Sequence, residues 1–268
     1  MRILLLLLCC GSAFSQTYSF LTPASKKVPS DVYYDYLENI QDSLGNGAAG
    51  EAYKATLRYN EDGKAITQAY TDSLIRLGGG YTTLLFKDTI ANSFTYVLHK
   101  RTPEETAKEQ EYWTNYYKED TSNRSKLKNM VLDELTLIDM EGNTYTLESL
   151  KGKTIVIDFW FVRCAACIEE MPELSSLKEK YKGKDVAWFG VTFDPKDKVA
   201  HFFEKPRDFN FTIVPDSRHI TDRFGIKFYP TTLVIDGSGK IVYVTDRDDF
   251  KNPIKKLRKA IDGTLKNK

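Results

Sequence analysis

The chain has 268 residues, long for one small domain and suggesting two, and 41% of them are hydrophobic, enough for a proper core. Its formal net charge of +1 gives no electrostatic footprint for a nucleic-acid partner. Met1-Arg2 is a short positive start, Ile3 to Cys10 is apolar, and Ala13-Phe14-Ser15 fits a small-x-small cleavage rule. Residues 1–15 are therefore read as a secretory signal peptide cut before Gln16, and the location expected is periplasmic or otherwise extracytoplasmic. The apolar run is too short to cross a bilayer core of about 30 Å. Lipidation at Cys9 or Cys10 is the alternative, but Leu8 and Cys9 stand where that signal wants a small residue.

Residues 16–130 are expected to form an α+β domain of unknown function. Residues 17–30, with Pro23 and Pro29, read as a linker or loosely docked arm. Asp31 or Ser30 could cap a helix from Val32 to Leu44, stopped by Gly45. Tyr53 to Tyr59, Tyr81 to Phe86 and Phe94 to His99 have strand-like composition, with Gly-rich turns between them. Thr102-Pro103-Glu104-Glu105 is a good helix start, with proline at the first helical position and acids in the first turn. That helix is expected to reach about Tyr117, and the polar residues 119–129 read as a boundary. Twelve of the sixteen tyrosines precede residue 131. They could form a binding face or fill a core and edge strands.

Residues 133–150 read as a β-hairpin. Ile155 to Phe161 is a β-branched and aromatic run, the signature of a strand buried on both faces. From Ala165 the apolar spacing becomes helical, through Ile168, Met171, Leu174 and Leu177. Cys164 and Cys167 thus sit where a buried strand turns into a helix. At a helix N-terminus the unpaired N–H groups and the macrodipole favour an anion, so a Cys164 thiolate is stabilised there. Arg163 adds positive charge beside it. Cys167, one turn in, is placed to attack a mixed disulfide on Cys164. The pattern points to dithiol–disulfide exchange, with Cys164 attacking and Cys167 resolving. Val186 to Phe193 reads as a second buried strand. A helix from Asp194-Pro195 to about Glu204 follows, then a short strand, Phe211 to Val214. Asp216 or Ser217 is expected to cap a helix ending at Gly225. Thr232 to Ile235 and Ile241 to Thr245 form a hairpin, and Asp248 to Ile261 a last amphipathic helix.

The stretch around the cysteines resembles the thioredoxin superfamily, most closely its extracytoplasmic TlpA/ResA-like branch. A strand ending Asp158-Phe159-Trp160 leads to Cys-x-x-Cys, then to Glu170-Met171-Pro172. Asp158 matches the family's buried acid, Glu170 the acid near the active site, and Pro172 the proline that kinks the first helix. Tyr229-Pro230-Thr231-Thr232 resembles the cis-proline loop, and a cis X-Pro bond is uncommon enough to be a feature. The resemblance covers about residues 131–265. It implies an α/β thioredoxin-like fold over 131–268 with a central insertion and an N-terminal hairpin, preceded by the smaller α+β domain of unrecognised type. It also implies a redox-active Cys164–Cys167 disulfide, no cofactor, and a role in cell redox homeostasis. Disulfide-containing proteins would be the substrates, and a membrane electron-transfer protein the reductant. Arg163 stands where the family has Trp, and Ala165-Ala166 where thioredoxin has Gly-Pro. These positions tune thiolate pKa and reduction potential, so a disulfide-forming or isomerising enzyme stands beside the reductase. A non-catalytic interaction protein acting through the Tyr-rich region is a third reading.

Each site residue has a plainer alternative. The cysteines could be half a zinc site, but no paired motif accompanies them. A stabilising disulfide gains little from so short a loop. A peroxiredoxin would need Pro and Thr where Ile157 and Phe161 stand. Asp158, in an apolar strand, is a candidate proton acceptor for Cys167, and so is Glu170 from the helix side. A structural hydrogen bond and an exposed helix acid are the alternatives. Pro230 in cis would expose main-chain groups to an extended substrate segment, with Tyr229 facing it. Trp160 and Phe161 read better as core.

Overall fold

The computed structural model describes residues 18–28, 57–78, 80–91, 93–246 and 253–266. The expected signal peptide, Cys9, Cys10, the helix read over Val32 to Leu44 and the start of the strand read from Tyr53 lie outside these residues. The chain divides into two units, Met1–Glu111 and Tyr112–Lys268.

In the first unit the strands are β1 (Ser25–Lys27), β2 (Leu57–Asn60), β3 (Tyr81–Asp88) and β4 (Ser93–Lys100). They form one sheet in the order β1-β3-β4-β2, antiparallel except for the parallel pair β2 and β4. The segment read as a linker therefore supplies an edge strand, with Lys26 opposite Lys87. Its apolar neighbours explain this: Tyr18 packs with Phe86 and Val97 on one cluster, and Val28 with Leu85 and Tyr96 on another. Helix α1 (Gln68–Arg76), absent from the sequence reading, starts at Thr67, whose hydroxyl accepts from Tyr70 N at 3.2 Å. Its mostly exposed residues give little apolar periodicity to read.

Helix α2 (Pro103–Leu127) starts as the sequence predicts. Thr102 N donates to Glu105 Oε2 (2.8 Å) and Glu105 N to Thr102 Oγ1 (3.2 Å), a reciprocal capping box. Glu105 also reaches the buried His99, whose Nε2 lies 2.8 Å from Glu105 Oε2 and whose Nδ1 lies 2.7 Å from Glu61 Oε1. The helix continues to Leu127 rather than stopping near Tyr117. The Asp120–Arg124 pair at i,i+4 and buried Leu127 carry it through a polar stretch that composition alone marks as a boundary.

The second unit is built on a five-stranded sheet, β11-β10-β7-β8-β9. These strands are β7 (Thr154–Trp160), β8 (Val186–Thr192), β9 (Thr212–Val214), β10 (Thr231–Ile235) and β11 (Ile241–Val244). β7 is buried at every residue and lies at the centre, parallel to β8 and antiparallel to β10. The hairpin β5 (Thr136–Ile138) and β6 (Thr144–Thr146) precedes it. Helices α3 (Ala165–Lys180), α4 (Lys196–Phe203), α5 (Arg218–Arg223) and α6 (Pro253–Lys266) follow in turn. α4 and β9 are the central insertion.

Period-two alternation along β7 separates two cores. Ile155, Ile157 and Phe159 join Leu135, Leu137, Phe224 and Leu233 on one face. Val156 and Trp160 join Met171, Leu174, Leu257 and both cysteines on the other. Asp158 has the parity of Val156 and Trp160, so it is directed to the face that carries the cysteines. Among the described residues no helix is long and apolar enough to cross a membrane.

Candidate active site

Cys164 and Cys167 are joined as a disulfide, with Cα atoms 5.2 Å apart. β7 ends at Trp160, and a short turn closed by Cys164 N donating to Phe161 O (3.0 Å) leads into α3. Cys164 is the N-cap residue, in extended conformation, and its Sγ accepts from Cys167 N at 3.1 Å. The cap sulfur thus takes the place of a Ser or Asp oxygen and satisfies one of the helix's orphan donors. A backbone donor and a helix N-terminus at this sulfur are surroundings that favour a thiolate. The two sulfurs differ in access: Cys164 keeps 6% exposure and Cys167 1%. Arg163, beside them, is exposed.

Both acids lie on the buried side of this turn. Asp158 is 1% exposed, and its Oδ1 accepts from Thr232 Oγ1 at 3.0 Å across the β7–β10 pair. Burial pushes its carboxyl well above the usual carboxylate range, the Glu170 charge adds to the shift, and the Thr232 hydroxyl opposes it. Glu170 follows Cys167 by three residues on α3, which places the two on neighbouring positions of one helix face. Burial, helped by the Glu173 charge, pushes its carboxyl up to about 7. The Glu170 charge that acts on Asp158 relates an acid of the helix to an acid of the strand.

The Tyr229–Pro230 bond is cis. Thr231, directly after it, pairs with Phe159, so the proline loop meets β7 at the end from which the cysteine turn departs. Tyr229 is half-buried, with its ring edge-on to Phe161 (centroids 5.3 Å apart) and to Phe193 (5.7 Å). Arg218 stacks over Phe193 at 3.8 Å. Trp160 is fully buried against Phe202, Phe203 and Phe209 and belongs to the core, whereas Phe161 borders the turn. Among the described residues no group of three or more His, Cys, Asp or Glu is arranged to hold a metal.

The AhpC/TSA family pattern matches residues 128–244. The ResA thiol-disulfide oxidoreductase of Bacillus thuringiensis subsp. konkukian is 31% identical over 124 residues, 46% of this chain and 72% of that protein. The ResA of Bacillus subtilis strain 168 is 31% identical over 128 residues, 47% of this chain and 69% of that one. This chain belongs to the ResA-like thiol-disulfide oxidoreductases of the thioredoxin superfamily. The thioredoxin domain of a thiol-disulfide oxidoreductase from Bacteroides vulgatus is 29% identical, with a TM-score of 0.41, covering 48% of this chain and 96% of that one.

In this ResA-like protein one supporting residue escaped the sequence reading. Asp194, read only as a helix start, is buried, and its Oδ2 accepts from Val162 N (2.8 Å) and Thr192 Oγ1 (2.9 Å). It ties the cysteine turn to the end of β8. The N-cap position of α4 is Pro195, without a side-chain cap bond, so the Asp194 carboxylate serves the turn instead. Ser217 stands at the N-cap of α5 but makes no cap bond; its hydroxyl donates to Pro215 O at 2.8 Å. An Asp-Pro pair after a buried strand was the available signal for Asp194, and it reads equally well as a helix opening.

Proposed function

We propose that the ResA-like protein reduces protein disulfides outside the cytoplasm through Cys164 and Cys167. The observation that carries this reading is the N-cap sulfur of Cys164, the more accessible of the pair, with Glu170 three residues from Cys167 on the same helix and its carboxyl raised to about 7. Cys164 thiolate attacks one sulfur of a substrate disulfide, and the first substrate sulfur leaves as a thiolate. Cys167 then loses its proton to Glu170 or Asp158 and attacks Cys164 Sγ. The second substrate sulfur leaves, and two electrons have passed to the substrate. The Cys164–Cys167 disulfide is returned to the dithiol by a membrane electron-transfer protein. Pro230, Tyr229 and Arg163 contact the substrate backbone and side chains.

The reducing direction is favoured by charge. Negative charge on Glu170 or Asp158, when ionised, disfavours thiolate in the reduced pair and so works against the stabilised reduced form that marks a strong oxidant. The extracytoplasmic location is supported by the apolar run Ile3 to Cys10 and the Ala13-Phe14-Ser15 site. Trapping tests the roles. A Cys167→Ser variant is expected to accumulate mixed disulfides on Cys164 with substrate proteins, visible as thiol-reversible bands, and Cys164→Ser to trap none. Equal trapping by both variants would reverse or remove the assignment.

A further inference from the structure

The cis-proline loop is held from outside the matched segment 128–244. From α2, Asn123 Nδ2 donates to Phe224 O (2.8 Å) and Gly225 O (2.9 Å), and Tyr116 OH to Lys227 O (3.0 Å). Tyr117 stacks on Phe228 at 5.3 Å. Arg124 completes the set. Its Nη2 donates to Thr231 Oγ1 at 3.0 Å, its Nη1 donates to Thr245 O, and its Nε pairs with Asp120 Oδ2 at 2.7 Å. Thr231 Oγ1 in turn donates to Phe228 O at 2.7 Å, closing the loop around Tyr229 and Pro230. Asp120 is 1% exposed, and Arg124 is its one ion-pair partner among the described residues. Gly225 fits this grip: at φ +59° it closes α5, and a Cβ there would lie 2.6 Å from Asn123 Nδ2. The contacts lead on to the redox turn, since Tyr229 packs on Phe161, whose carbonyl accepts from Cys164 N.

We propose that Arg124, oriented by Asp120, is a positioning residue for disulfide exchange: it fixes the cis-proline loop against which a protein substrate aligns. A planar guanidinium suits this task, because it reaches the hydroxyl of Thr231, the carbonyl of Thr245 and the carboxylate of Asp120 at once, which a lysine ammonium on a flexible stem does not. The inference rests on the reading of Cys164, Cys167 and Pro230 given above, and deepens it. Arg124 touches neither sulfur, so its loss acts on the alignment of a bulky substrate and spares the thiol chemistry.

The full-length protein is assayed with insulin as a protein disulfide and with 5,5′-dithiobis(2-nitrobenzoate) as a small one. Arg124→Ala and Thr231→Val are expected to raise KM for insulin about tenfold, the scale of one lost charge-assisted hydrogen bond, with kcat within about twofold. Reaction with the small disulfide is expected to stay within about twofold, and Thr231→Ser, which keeps the hydroxyl, to restore the insulin KM. Should Arg124→Ala fail to fold, the Thr231→Val and Thr231→Ser comparison decides alone. An unchanged insulin KM, or a parallel loss with both substrates, overturns the proposal. If Cys164→Ser abolishes insulin reduction while Arg124→Ala behaves as wild type, this inference alone fails. If Cys164→Ser still reduces insulin, the reading beneath it fails as well.

Discussion

At Glu170, burial and the Glu173 charge hold the carboxyl at about 7, against 4.5 for an ordinary glutamate. A base titrating near working pH, three residues from the resolving sulfur, suits a proton transfer that must run in both directions of the redox cycle. The rate of insulin reduction is expected to rise through pH about 7. Glu170→Gln is expected to remove that limb and slow the resolving step about a hundredfold, the lower end for general base catalysis. Stopped-flow traces across pH 5 to 9 check this, and an unchanged limb would assign the proton elsewhere. Stability follows with a definite sign. The folded pKa is raised, so the contribution is full below pH about 4.5 and lost as pH rises through about 7. Asp158, also raised, acts in the same sense. Urea unfolding of the oxidised protein should therefore show Glu170→Gln gaining on wild type between pH 5 and 8. Asp194 stabilises the fold through its hydrogen bonds. Asp194→Ala strands Val162 N–H and the Thr192 hydroxyl, a cost of about 1–3 kcal/mol in the same urea experiment.

At the scale of elements, the site depends on β7 being buried on both faces while one of its seven residues is an acid. The neighbouring strand leaves space there for the rings of Phe209 and Trp160. Gly190 of β8 lies opposite Asp158, and a Cβ on it would stand 2.7 Å from the Phe209 ring and 3.1 Å from Trp160 Nε1. Gly190→Ala is expected to overpack this face and lower stability by about 1–3 kcal/mol, read as a lower urea midpoint. The same elements show what was legible in the sequence. β7 and α3 could be read because apolar period and cysteine spacing agree. So could the hairpins, whose Asp/Gly turns punctuate short apolar runs. α1 was not legible because its faces are mostly exposed, and β1 was not because it is a three-residue edge strand beside prolines. The length of α2 was hidden by its polar composition. Its continuation is fixed by long-range bonds from Asn123 and Arg124 to residues about a hundred positions away.

For the whole molecule, the proposed redox site lies in Tyr112–Lys268, where strand, helix N-terminus and proline loop converge at one end of the sheet. Which residues converge could be read from motifs. How they are held could not, because Asp194, Thr232 and Arg124 act through contacts that spacing does not encode. The proposed direction of electron flow rests on this assembly: an N-cap donor favours a Cys164 thiolate, and negative charge on the two acids would oppose it. In the proposed reductase the acids prevail. Its most direct test is the reduction potential of the Cys164–Cys167 pair in protein lacking residues 1–15, measured by alkylation after equilibration with glutathione or dithiothreitol. A value of about −230 mV or lower, towards the thioredoxin end of the range, is the expected result. A value near about −120 mV, that of a strong disulfide donor, or the absence of a reversible pair, would contradict it.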